Sequence, residues 1–328
     1  PAIRPRGGAM KQKTILFLVL AGWCLLFLRC ETTEKSMVRA LYLSRQERGW
    51  EAALLYQAPE AAADASKATA ALRVGTGKGG DLAAALSAAE ESLPQTADYR
   101  LCDYLLFPED SDRTTLADYE TLVLKDQRGR TAARMICTDF DLEELRMAAE
   151  KTGDLPDKLL DKLKGSAGLL PRLYQRQETI LLPVLEIADT GFALKDREQM
   201  WTADGNKIQL EEPRTVMFRL LSGTGGVHRF RLEGRQLNIR RCSVSVTMTK
   251  SLVRLRLDCQ NEYVRALPGE ESCRQLEQLC EDTVRQLWGQ QVDVLHLQQA
   301  SALRYGRQGM LSPTKNACPR LEADVHFY

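Results

Sequence analysis

Residues 70–94 read AALRVGTGKGGDLAAALSAAEESLP, and this stretch decides the class of fold. Ala70 to Val74 reads as a strand leading into Gly75. Asp81 is a good N-cap, Leu82, Leu86, Ala89 and Leu93 recur at helical spacing, and Pro94 stops the helix. The intervening Gly75-Thr76-Gly77-Lys78-Gly79-Gly80 formally satisfies GxGxxG, the arrangement whose amides can cradle a pyrophosphate. Yet at least two strands precede it, whereas the dinucleotide motif follows the first strand of its fold. It is not a phosphate loop either, because Gly79 stands where Ser or Thr must follow Lys78, and Leu72 stands at the first glycine position. The expectation is a flexible turn between strand and helix, with no nucleotide and no other cofactor.

Outward from this stretch, strand and helix signals alternate. Val38 to Leu43 and Trp50 to Tyr56 flank a turn-like Gln46-Glu47-Arg48-Gly49 and read as a hairpin. Ala58 to Ala71 reads as a loop or short helix. Tyr104 to Phe107 and Ala132 to Cys137 are strand candidates, Leu116 to Leu124 and Asp141 to Ala149 helix candidates. Ile180 to Ile187, Gly191 to Leu194 and Lys207 to Leu210 read as strands, and Thr215 to Leu221 as a short helix closed by Gly223. The last hundred residues carry the alternating Val253, Leu255, Leu257 and Cys259, and earlier Val227 to Leu232, Leu237 to Ile239 and Val244 to Met248. A long amphipathic helix follows, with Cys273, Leu276, Cys280, Val284, Leu287 and Trp288 on one stripe. Val292 to Leu297 and Leu321 to Phe327 look like further strands.

The fold class is therefore α+β and multi-domain, with mixed or antiparallel sheets and packed helices. The expected divisions are a leader and signal peptide over residues 1–30, an N-terminal α/β domain over 31–165, a small middle module over 166–225, and a C-terminal antiparallel sheet with its long helix over 226–328.

Charge and leader narrow the function. The chain has 45 basic and 44 acidic residues, but five basic residues and no acid precede Cys30, which leaves 40 against 44 from there onward. A mildly acidic mature chain has no global electrostatic reason to bind nucleic acid. Met10 reads as a start, followed by Lys11, Lys13 and the uncharged run Ile15 to Leu28. Fourteen helical residues span roughly 21 Å, short of the ~30 Å hydrocarbon core, so an export signal is favoured over a permanent membrane helix. Cys30 closes the run where bacterial lipoproteins are cleaved and acylated, although Arg29 occupies the position usually held by a small residue. Lipidation at Cys30 is the reading taken; an uncleaved anchor and ordinary secretion are its alternatives.

Other motifs have plain explanations. The seven cysteines beyond Cys30 form no CxxC pair, so most read as small core residues, and one or two disulfides after export stay open. Asp139, Asp141, Glu143 and Glu144 resemble a calcium loop, but Glu144 stands where its glycine must be, and a helix N-terminus explains the acids better. His228, His296 and His326 lack metal spacing or a nucleophile partner. Neither catalytic nor metal residues are therefore assigned. Between Val227 and Leu257 eight basic residues face the single acid Glu233, and Arg254 and Arg256 share one strand face opposite Val253, Leu255 and Leu257. A solvated face is the plain reading of these two arginines; contact with anionic lipid or an acidic partner is the sharper one.

In this order the chain resembles the Ger(x)C family, the lipoprotein C subunit of spore germinant receptors, from Cys30 onward. The resemblance is carried by the export signal ending at Cys30, the strand pair Val38 to Tyr56, and Gly75 to Leu86 with its Ala85-Leu86 pair. It continues through Leu182-Pro183, the hairpin Gly191-Phe192-Ala193-Leu194-Lys195-Asp196, Arg214 to Gly223, and the long helix before Val292-Asp293-Val294-Leu295. Glu31-Thr32 replaces the usual Trp-Asp after the lipidated Cys, and the Pro-x-x-Trp stretch is absent. The resemblance implies a non-catalytic lipoprotein held by a palmitate-type anchor on the outer face of the spore inner membrane. It implies integral-membrane A and B subunits as partners, in nutrient-triggered germination. The alternative is a solute-binding or cell-envelope lipoprotein unrelated to germination.

Overall fold

The computed structural model describes residues 35–57, 72–126, 128–151, 154–174, 179–189, 191–223, 226–249, 252–262 and 267–328. The leader, Cys30 and the segment Ala58 to Ala71 lie outside the described residues.

Two apolar strands start the fold. β1 (Ser36–Gln46) and β2 (Gly49–Gln57) pair antiparallel across a turn that Gly49 closes at φ +145°. Residues on both faces are buried, including Leu41, Tyr42, Leu54 and Leu55, so this hairpin must be covered on both sides. β3 (Leu72–Gly79) pairs with β2 and contains most of the glycine run: Gly75, Gly77 and Gly79 lie opposite Leu54, Ala52 and Trp50. The flexible-turn reading is thus corrected to a strand, with only the Gly80-Asp81 bend before α1 (Leu82–Glu91). The reason is steric. A Cβ on Gly77 would sit 2.2 Å from the Ala89 nitrogen and 2.4 Å from the Ala85 oxygen, and one on Gly79 would sit 2.3 Å from the Ala85 nitrogen. Bare strand backbone lets α1 lie directly on β3. Asp81 caps α1 by accepting from the Ala84 amide at 2.7 Å.

The chain continues through β4 (Ala97–Asp98), β5 (Tyr104–Pro108), α2 (Arg113–Asp126), β6 (Arg134–Thr138), α3 (Leu142–Lys151), α4 (Leu155–Gly165), β7 (Ile180–Ala188), β8 (Gly191–Trp201) and β9 (Lys207–Glu211). Together these strands make one nine-stranded sheet in the order β3-β2-β1-β5-β6-β7-β8-β9, with β4 beside β1. β1, β5, β6 and β7 run parallel in the centre, and an antiparallel pair extends each flank. One face packs Leu41, Leu54, Phe107 and Met135 against α1 and α2. The other packs Tyr42, Leu55, Leu106 and Ile136 against α3 and α4. α4 was not anticipated from the sequence; its Leu155, Leu159, Leu160 and Leu163 form a buried stripe, and Pro156 suits its first turn.

The strands placed by sequence in a middle module continue this large sheet. Leu182 and Val184 enter the first core and Leu185 the second, so β7 needs cover on both faces. α5 (Arg214–Leu221) then leaves the sheet, burying Met217, Phe218, Leu220 and Leu221 in a third core.

That core is shared with β10 (His228–Leu232), β11 (Arg235–Met248), β12 (Leu252–Asn261), α6 (Glu270–Gly289) and β13 (Arg320–Phe327). The small sheet runs β10-β11-β12-β13, and β13 is parallel to β12. The antiparallel expectation for this region is corrected at that pair, because α6 intervenes as a crossover and returns the chain in the same direction. Leu237 to Ile239 and Val244 to Met248 belong to the one strand β11, which bulges between Ile239 and Arg241. Val292 to Leu297 is not a strand: the Asp293 carboxylate accepts from the amides of Leu297 at 2.8 Å and Gln298 at 2.7 Å and starts α7 (Leu297–Tyr305). Glu281 and Glu277 of α6 accept from the Ala323 and Val325 amides of β13, each at 3.0 Å, which satisfies that edge.

Gly77→Val is expected to cost more than about 3 kcal/mol in urea unfolding, beyond ordinary overpacking because its collision is with backbone. Gly80→Ala, with nothing within 4 Å of its added Cβ, should change stability by under about 1 kcal/mol. Equal effects at both positions would contradict the close approach of α1.

Candidate functional site

Among the described residues, the small sheet is covered on one side only. Val253, Leu255, Leu257 and Cys259 of β12 are buried against the α6 stripe of Leu276, Cys280, Val284 and Leu287. Side chains between them point away from the core, as strand geometry requires. Arg254 and Arg256 therefore project from the uncovered face, with side chains 69% and 58% exposed.

Neither guanidinium stands alone. Arg254 Nε lies 3.1 Å from Glu322, and Arg256 Nε 3.1 Å from Asp258. The parallel register sets Arg254 beside Glu322 and Arg256 beside Asp324, while His326 Nε2 meets Asp324 at 2.9 Å. Arg229, on the neighbouring strand face, pairs with Glu262 at 2.6 Å. Around Arg254 and Arg256 the face is thus a surface of alternating sign. Ser245, Thr247, Arg254, Arg256, Glu322 and Asp324 line a depression of about 410 Å³ on it. Sequence reading missed the acids because Glu322 and Asp324 are distant in the chain and arrive only through β13.

A second charged cluster sits at the carboxyl ends of the central strands. Arg197 of β8 forks onto Glu109, just past β5, at 2.8 and 2.9 Å, and lies 3.7 Å from Asp139, just past β6. Lys195 pairs with Asp139 and lies 3.7 Å from Glu186. Lys207 of β9 donates to the carbonyl of Asp110 at 2.8 Å. These pairs tie the loops after β5 and β6 to the β8–β9 flank. Lys195 belongs to the hairpin motif quoted above and Asp139 to the acidic run, and sequence alone did not join the two.

The remaining motifs resolve into structure. The helix-facing side of the glycine strand is filled by α1 backbone, its amides belong to a strand paired with β2, and exposed Lys78 pairs with Glu51. Asp141 and Glu144 form a reciprocal cap on α3: Glu144 N donates to Asp141 at 2.8 Å, and Asp141 N to Glu144 at 3.0 Å. Among the described residues, no group of three or more His, Cys, Asp or Glu side chains is arranged to hold a metal ion. Burial pushes the Cys102 and Cys280 thiols up to about 12, as suits core residues. Among the described residues no helix is long and apolar enough to cross a membrane.

Neither a protein-family model nor a curated protein matches this chain. Among solved structures it is similar to one titled "Crystal Structure of the GerBC protein", at 12% identity and a TM-score of 0.46, covering 88% of this chain and 96% of that one.

The two faces of β12 should fail differently. Leu255→Ala is expected to destabilise by about 2 to 5 kcal/mol in urea unfolding, the range for a buried large-to-small change. Arg254→Gln with Arg256→Gln should cost no more than about 1 kcal/mol per pair, since both pairs are exposed. A double variant as unstable as Leu255→Ala would make the arginines structural.

Proposed function

We propose that this chain is the non-catalytic, membrane-anchored C-type lipoprotein subunit of a nutrient germinant receptor. The observation that carries the reading is the sequence order, running from an export signal ending at Cys30 through the hairpin Gly191 to Asp196 to the long helix and its Val292-Asp293-Val294-Leu295 turn. In this reading Cys30 takes the lipid and holds the folded chain at the outer face of the spore inner membrane. The open face of the small sheet, centred on Arg254 and Arg256, then meets an integral-membrane A or B subunit. Its paired charges favour a protein surface of matching alternating sign over a uniformly anionic lipid sheet.

Two experiments test this. Cys30→Ser should move the chain from the membrane to the soluble fraction, since it removes the thiol positioned for acylation. Full membrane retention at unchanged mass would make the apolar run the anchor. A deletion strain without a paralogue should yield spores that fail to germinate on at least one nutrient. Normal germination on every nutrient, with permease and ATPase genes beside this one, would favour the solute-binding lipoprotein instead.

A further inference from the structure

β11 and β12 bring two cysteines face to face. Cys242 and Cys259 are direct partners in the antiparallel register, and their sulfurs lie 3.4 Å apart as free thiols. Directly opposed residues on antiparallel strands have Cα atoms about 4.5–5.5 Å apart, inside the ~4.4–6.8 Å range that a disulfide spans. Cys259 is fully buried and Cys242 half-buried at the margin of the same core, so a reagent reaches the pair through Cys242. The strands need not move apart or together for the bond to form.

We propose that Cys242 and Cys259 form a cross-strand disulfide that clamps the centre of the small sheet when the chain meets an oxidising thiol–disulfide pool. The steps balance with a small-molecule disulfide as oxidant. The Cys242 thiolate attacks one sulfur of the reagent, forming a mixed disulfide and expelling one thiolate. Cys259 then loses its proton and attacks the Cys242 sulfur, expelling the second. Two protein thiols are oxidised to one disulfide, and the reagent is reduced to two thiols. The order follows from the local chemistry: the hydrogen bond from Cys259 holds the Cys242 thiol below its ordinary range, while the same bond and then burial push Cys259 up. Cys273 and Cys280 lie on α6 above the sheet, close enough to interact electrostatically with Cys259 and Cys242 respectively, and are the competing partners. Because it rests on strand register, sulfur separation and burial, this inference is independent of the receptor reading.

The test incubates the native chain with oxidised glutathione, alkylates the remaining thiols in denaturant, and maps tryptic peptides. Wild type should give peptide 242–250 joined to peptide 257–265, two hydrogens lighter than the separate pair and split by dithiothreitol. Cys242→Ser and Cys242→Ala should both lose that species, and circular dichroism reports whether each stays folded. The proposal is overturned if the folded wild type yields both peptides singly alkylated, or keeps glutathione on Cys242 without resolving it. It is equally overturned if Cys242 joins Cys280 or Cys259 joins Cys273.

Discussion

The buried pair between Glu198 of β8 and Arg219 of α5 fixes how the two sheets meet. Arg219 Nη2 lies 2.7 and 2.8 Å from the two Glu198 oxygens, and the two side chains are 15% and 7% exposed. Burial raises the Glu198 carboxyl, against the opposing pull of Arg219. Removing one member of such a pair strands the other, at a typical cost of about 3–5 kcal/mol, so neither sheet is free to slide on this contact. Arg219 sits on a helix whose apolar residues Met217, Leu220 and Leu221 lie in the core of the small sheet. The pair therefore reinforces a junction where Leu181, Met200, Ile208 and Leu210 of the large sheet share that core with α5 and the small sheet.

The large sheet is covered twice and the small sheet once, and this asymmetry separates structure from function. Where the central strands are covered on both faces, Glu109 and Asp139 sit just past their ends, and Arg197 of β8 ties the two together. Where one face is polar, as at Thr247, Arg254 and Glu322, side chains remain available to another molecule. Cover on the large sheet is gained at close quarters because Gly75, Gly77 and Gly79 remove the side chains that would hold α1 away. Edge strand β13 is protected by Glu277 and Glu281, whose carboxylates accept from its Val325 and Ala323 amides.

Much of this was legible in local pattern. The first hairpin, the Asp81 cap, the helix after Asp141 and the α6 stripe all depend on residues within a few turns of one another, and each forms as the spacing suggests. What was not legible depends on distant partners. Glycine at Gly77 favours a turn until a helix arrives to lie on it, so local propensity pointed the wrong way. Val292 to Leu297 has strand-like composition, but Asp293 finds two helix amides to bind. α4, by contrast, was legible and passed over: Leu155, Leu159, Leu160 and Leu163 recur at helical spacing among Asp and Lys. Exposure of Arg254 and Arg256 followed from period-2 alternation, and so could the pairing of Arg256 with Asp258 two residues on; the pairing of Arg254 with Glu322 required the crossover that brings β13 alongside.

In the proposed function, a membrane-tethered chain offers the open face of its small sheet to an integral-membrane partner. The most direct measurement places a photo-crosslinking amino acid at Thr247 on that face and, separately, at the exposed Leu124 on α2 of the large domain. Illumination of spore membranes should join the Thr247 variant to a polytopic membrane subunit and leave the Leu124 variant unjoined. Crosslinking from Leu124 and none from Thr247 would contradict the account.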